Sequence, residues 1–254
     1  MAIHTTDAII LKKRDVRETS LLTIFYTRDF GKIKGIMKGI RGHRGPLGYQ
    51  VQVFTLNKTV FYDTKKTDIH TISQCDLLDF FEAVRGDIIK TSYAYYFVEL
   101  VDTLTEYGEK NSEIFELLLN SLELLKGRAG PERTARILEI KLLMLIGLIP
   151  RFNKCISCDE RLNFRKPSFD NVRLSYNAGG LLCGKCLRQD GNSQRILAGT
   201  ANFIDHVERA PREKTVRIKT SKDVGKEVEK IMGNFLTYQF NVKFKSLEFI
   251  NKIA

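Results

Sequence analysis

Short catalytic signatures are missing from this 254-residue chain. Its four histidines form no HExxH, no serine sits in GxSxG, and neither GxxxxGK[ST] nor GxGxxG occurs. Metalloprotease, serine-hydrolase, P-loop and dinucleotide chemistry are therefore not expected, and the chain does not read as an enzyme. Carboxylate pairs such as Glu227 and Glu229 fall on an expected solvated helix. Long hydrophobic runs are also missing. The longest, Leu142–Ile149, covers eight residues, whereas a membrane span needs about 20. Met1-Ala2-Ile3-His4 has neither the basic start nor the apolar stretch of a secretory signal. Five cysteines are few for a disulfide scaffold of this size. A cytoplasmic protein without a membrane partner is expected.

Apolar residues make up 43% of the chain and charged ones 28%, enough for a packed core. Lysine and arginine total 41 against 30 acids, a net charge of +11. The excess lies at the two ends. Residues 1–80 carry +5, 81–150 carry −3, 151–220 carry +7 and 221–254 carry +2. Such a balance favours polyanions, because each neutralised phosphate releases counterions. The bland alternative is charge that serves solubility alone.

The first 76 residues read as short strands rich in β-branched and aromatic side chains: 7–12, 21–26, 32–38, 49–54, 59–62 and 68–72. Lys32, Lys34 and Lys38 alternate with Ile33 and Met37, as a half-buried strand requires. Five or six such strands fit a small closed barrel. From Leu77 the period becomes helical. Residues 88–107 open a bundle, Asn111 caps a helix that Gly127 stops, and Pro131 starts another. Helices are expected again over 200–210, 221–240 and 245–253. The fold class is α+β, divided as 1–79 barrel, 80–150 helical bundle, 151–190 cysteine segment and 191–254 helices completing the helical domain.

Four of the five cysteines lie within 32 residues, as Cys155-Ile-Ser-Cys158 and Cys183-Gly-Lys-Cys186, with 24 residues between the hooks. Two CxxC hooks supply four thiolates at tetrahedral angles to one ion. Four ligands leave no open coordination position, so the expected cofactor is structural Zn2+, held by a ribbon with a hairpin over 164–176. An iron–sulfur cluster is the competing occupant. Gly179, Gly180 and Gly184 give the knuckles backbone freedom. Lys154, Arg161, Arg165, Lys166, Lys185 and Arg188 surround the hooks, either screening the sulfur charge or touching phosphate. Cys75 reads as a small buried hydrophobe.

A second candidate region is the basic, glycine-spaced loop. Lys32, Lys34, Lys38, Arg41 and Arg44 alternate with Gly35, Gly39, Gly42, Gly45 and Gly48. Cations give phosphate contact and glycine lets backbones approach. Lys12, Lys13 and Arg14 on the first strand extend the candidate DNA-binding set. Phe30, Tyr49, Phe54 and Tyr62 are candidates for base stacking, although most must fill the barrel.

Asp7-Ala-Ile-Ile-Leu, Glu18-Thr-Ser-Leu21, Asp29-Phe-Gly-Lys32 and Lys38-Gly-Ile-Arg41, followed by the paired hooks, resemble in their order the bacterial recombination mediators of the RecO family. His43-Arg44-Gly45-Pro46 departs from the basic–serine pair that the family often carries there. The resemblance implies an OB-fold barrel and binding of single- and double-stranded DNA. It also implies strand annealing, and work with RecR and single-stranded-DNA-binding protein (SSB) so that RecA loads during repair near the nucleoid. Rival classes are a zinc-ribbon transcription regulator and a zinc-dependent nucleic-acid enzyme.

Overall fold

Five strands form from the alternating N-terminal sequence: β1 (Ile3–Val16), β2 (Ser20–Thr27), β3 (Gly31–Met37), β4 (Leu56–Tyr62) and β5 (Ile69–Asp79). In the computed structural model, which describes all residues except 1, 17, 40–50, 64–67, 129, 212–214, 216, 217, 219 and 254, they close in the order β1-β2-β3-β5-β4. That order, with β3 and β5 parallel and the other pairs antiparallel, is the topology of an OB-type barrel. The long β1 closes it. Residues 3–9 pair with β4, residues 8–16 pair with β2, and a bulge separates Ile10 from Lys12. Ile10, Phe25, Ile33, Met37, Phe61 and Ile72 fill the interior.

One expected strand is absent among the described residues. Val51–Phe54, the described part of 49–54, forms a turn in which Thr55 N–H donates to the Gln52 carbonyl. Phe54 has φ +54°, a left-handed backbone that cannot continue a strand. In exchange its ring is fully buried, edge-on to Tyr95 and beneath the Arg85 guanidinium at 3.8 Å. Gly35 also has a different role from the one expected. It sits inside β3, where a Cβ would lie 2.4 Å from the Ile72 side chain. Close strand packing explains this glycine, not loop flexibility.

Contacts divide the chain into two units, Met1–Ala135 with Phe244–Ala254, and Arg136–Lys243. The first contains the barrel, α1 (Glu82–Arg85), α2 (Ile88–Leu104), α3 (Ser112–Lys126), the start of α4 (Pro131–Leu145) and, after the second unit's α5 (Ala198–Arg209) and α6 (Lys222–Phe240), the final helix α7 (Lys245–Ile253). Asp87 and Asn111 side chains cap α2 and α3 by accepting backbone N–H bonds, and Gly127 follows α3. The Glu99 carboxylate on α2 accepts the Lys245 and Ser246 N–H groups, which caps α7.

In the second unit, β6 (Arg151–Cys155), β7 (Arg173–Ser175), β8 (Gly180–Leu182) and β9 (Gln194–Arg195) form a sheet in the order β6-β8-β7-β9. The hairpin between the hooks forms later than expected, from β7 and β8. Residues 167–171 instead take a 3-10 turn. Lys141 on α4 donates to the carbonyls of Glu208 and Ala210, placing a cation at the end of α5. Among the described residues, no helix is long and apolar enough to cross a membrane.

Candidate nucleic-acid interface and metal centre

Strand register sorts the barrel's cations. Directly paired residues share a face, so Lys12, Ile24 and Lys34 form one row across β1, β2 and β3, with Arg14, Leu22 and Ile36 in the parallel row. Both rows lie on the outer face, since the alternate residues Thr23, Ile33 and Met37 point inward and are buried. Lys12 and Arg14 are exposed, Lys34 is half-buried, and so are Leu22, Ile24 and Ile36 between them. At one strand spacing per step, Lys12 and Lys34 stand about 10 Å apart. Lys38 is exposed just past β3.

The other half of this face is covered. Ile9, Tyr26 and Lys32 form its row, and the chain after α2 lies over them. Gly108 N–H donates to the Lys32 carbonyl, and Tyr26 Oη donates to the Asn111 carbonyl. Gly31 permits this approach. Its φ is +66°, and a Cβ there would sit 2.0 Å from the Glu109 carbonyl oxygen.

Lys32 is therefore corrected from a surface cation to a buried one, 5% exposed. Its Nζ donates to the Asp102 carbonyl at 2.6 Å, lies 3.6 Å from the Asp102 carboxylate, and sits 4.6 Å from the centre of the Tyr107 ring. Burial lowers its pKa, and Asp102 opposes the shift.

Lys13 points the other way from Lys12 and donates to the Val51 carbonyl and Gln52 Oε1. It fastens a loop, and burial lowers its pKa. Arg41 and Arg44 lie outside the described residues, as do Tyr49, Gly42, Gly45 and Gly48. None of the other three candidate stacking aromatics lies in the Lys12–Lys34 or Arg14–Ile36 row. Phe30 packs on His4 and Phe61, Phe54 is internal, and Tyr62 pairs with Ile3 and Thr71 at the β4 side. Tyr107 was missed by sequence reasoning. It is 46% exposed, and Lys34 Nζ lies 5.1 Å from its ring centre.

The four hook cysteines converge. Cys155 ends β6, Cys183 follows β8, and Cys158 and Cys186 sit on the turns beyond. All four sulfurs lie within 4.8 Å of one another, with Cys158 Sγ and Cys183 Sγ 3.7 Å apart. A tetrahedron of four bonds of ~2.3 Å has an edge of about 3.8 Å, so the donor set fits one thiophilic ion. Burial works against the Cys155 thiolate. Backbone N–H groups of Cys183, Cys158 and Ser157 outweigh it and bring the pKa to about 6. At Cys158 the Glu160 N–H favours thiolate, but the neighbouring thiols push the pKa up to about 12. Thiolates gathered this closely repel one another, and a bound cation would offset that repulsion. Cys75 is buried beside Thr59, and burial raises its pKa to about 11, as suits a packing residue.

Comparison with known proteins decides the family. Residues 1–81 match the model described as Recombination protein O N terminal, and residues 85–248 match Recombination protein O C terminal. The chain belongs to the RecO family. Curated RecO relatives extend the likeness over the whole chain. The DNA repair protein RecO of Moorella thermoacetica is 31% identical over 252 residues, covering 99% of this chain and 92% of the relative. Those of Caldicellulosiruptor saccharolyticus and Caldicellulosiruptor bescii are 29% and 30% identical, covering 96% and 100% of both chains respectively. The boundary between the two RecO models falls at Phe81–Arg85, where the barrel passes into α1 and α2.

Proposed function

We propose that this chain is a DNA repair protein that grips nucleic-acid backbones without reading sequence, anneals complementary strands and acts as a recombination mediator. One observation carries this. The open half of an OB-type face bears Lys12, Arg14 and Lys34 around half-buried Leu22, Ile24 and Ile36. Cations there neutralise phosphates, and the apolar strip accommodates sugars and bases. Lys38 extends the patch, and Arg41 and Arg44 continue it in sequence. Tyr107 offers a stacking surface beside Lys34. Two strands held against one positive surface repel each other less, so annealing requires neither ATP nor a catalytic group.

The resident ion is Zn2+, coordinated by Cys155, Cys158, Cys183 and Cys186. Its role is structural, since four protein ligands fill its coordination. Family resemblance supplies the partners: RecR, SSB and, through them, RecA loading in the cytoplasm at the nucleoid.

A strand-annealing assay on SSB-coated complementary oligonucleotides tests the proposal. The full chain should speed duplex formation without nucleotide, equally for unrelated sequences. Preference for one duplex sequence would favour a regulator, and turnover of the oligonucleotide an enzyme. Failure to anneal would remove the mediator function.

A further inference from the structure

We propose that the second unit carries its own binding site for a nucleic-acid backbone, in a cleft between the 161–166 segment and the start of α5. It rests on the nucleic-acid-binding function proposed above and adds a second grip to it. The cleft has a volume of about 720 Å3, the size of a pocket for a ligand of nucleotide dimensions. Arg161, Arg165 and Lys166 line one wall, and the first turn of α5 with Arg209 lines the other.

Charge pairing separates these cations from their neighbours around the hooks. Lys154 donates to Asp159 at 2.7 Å, and Lys185 lies 3.4 Å from Glu160. Both are neutralised in place. Arg161, Arg165 and Lys166 have no carboxylate partner among the described residues. The cleft's single lining acid, Asp205, is already paired with Arg209 at 2.7 Å. Three uncompensated positive charges on one concave wall repel one another until a polyanion enters.

The opposite wall favours the same ligand. The 12-residue α5 follows Leu197, which has no side-chain group to cap it, and its first turn contains no acid. Glu227 takes the Leu197 N–H at 2.9 Å. The N–H groups of Ala198 and Gly199, both lining the cleft, have no partner among the described residues, so two donors of the helix end stay open to a ligand. Asn163 and Asn202 add amides at the rim. Cations spread over six residues of chain suit the successive phosphates of a strand better than one small anion.

The test uses the full chain with its metal and a dT oligonucleotide, titrated with salt. Replacing Arg161, Arg165 and Lys166 together by Gln should flatten the slope of log affinity against log salt by about 2, from ~0.7 per phosphate on a single strand. Metal content should stay at the wild-type value. In the unaltered protein, bound oligonucleotide should protect Lys166 from acetylation and leave ion-paired Lys185 reactive. An unchanged slope with no protection of Lys166, while the wild type still binds, overturns the cleft and leaves the barrel interface standing. A wild-type chain that ignores oligonucleotide at low salt overturns both. If the triple variant loses its metal, Lys166→Gln and the acetylation pattern decide between the same two outcomes.

Discussion

The barrel and the cysteine-bearing sheet present cations on surfaces built in opposite ways. Beneath Lys12 and Lys34 lies an interior of Ile10, Phe25, Ile33, Met37, Phe61 and Ile72, all nearly inaccessible. Around the hooks, strands are two to five residues long, and the local core cluster includes the sulfur-bearing side chains of Cys155 and Cys183. Apolar burial stabilises the first surface, whereas the second adds to a smaller apolar set four converged sulfurs that could hold a metal ion.

The sharpest way to separate the two regions is to remove the proposed Zn2+. Chelation, or Cys183→Ser, should cost the cysteine segment on the order of 10 kcal/mol of local folding free energy. Limited proteolysis should then cut between 151 and 195 while the barrel stays protected. Equal resistance of both regions would erase the contrast. The converse perturbation is Phe25→Ala, which should destabilise the barrel by about 3–5 kcal/mol in denaturant melts, with metal content unchanged. Tyr107→Ala should weaken single-strand binding by about 1–3 kcal/mol if the ring stacks on a base. An unaltered dissociation constant would assign Tyr107 to packing over Lys32 alone.

Within the barrel face a finer contrast lies between two lysines on one strand. Lys32→Met should lower stability by about 1.5–3 kcal/mol, because it removes a charged donor from Asp102. Its effect on the salt dependence of DNA binding should be nil. Lys34→Met should change stability by less than about 0.5 kcal/mol, and should flatten the salt slope by about 0.7. Reversed outcomes would invert the division of this face into covered and open halves.

Much of this organisation was legible before any coordinates. Asn111, Gly127 and Pro131 mark helix ends by local chemistry, and each marks one in the structure. The paired hooks also bring their four sulfurs together. Local signals failed where a distant segment intervenes. Lys32 and Lys34 are indistinguishable in sequence. What separates them is Asp102 and Tyr107, some seventy residues downstream, lying over one and beside the other. Gly35 resembled its loop neighbours, but Ile72 from β5 fills the space where its side chain would be. Val51–Phe54 has strand composition, yet a left-handed Phe54 drives its ring towards Tyr95 and Arg85. Each miss is a tertiary contact overriding a local preference.

Salt titration of oligonucleotide binding, comparing the wild type with a variant carrying Gln at Lys12, Arg14, Lys34 and Lys38, is the most direct test of the barrel interface. Four phosphate contacts at ~0.7 each predict that the slope of log affinity against log salt flattens by about 3. A variant whose slope and affinity match the wild type would contradict it.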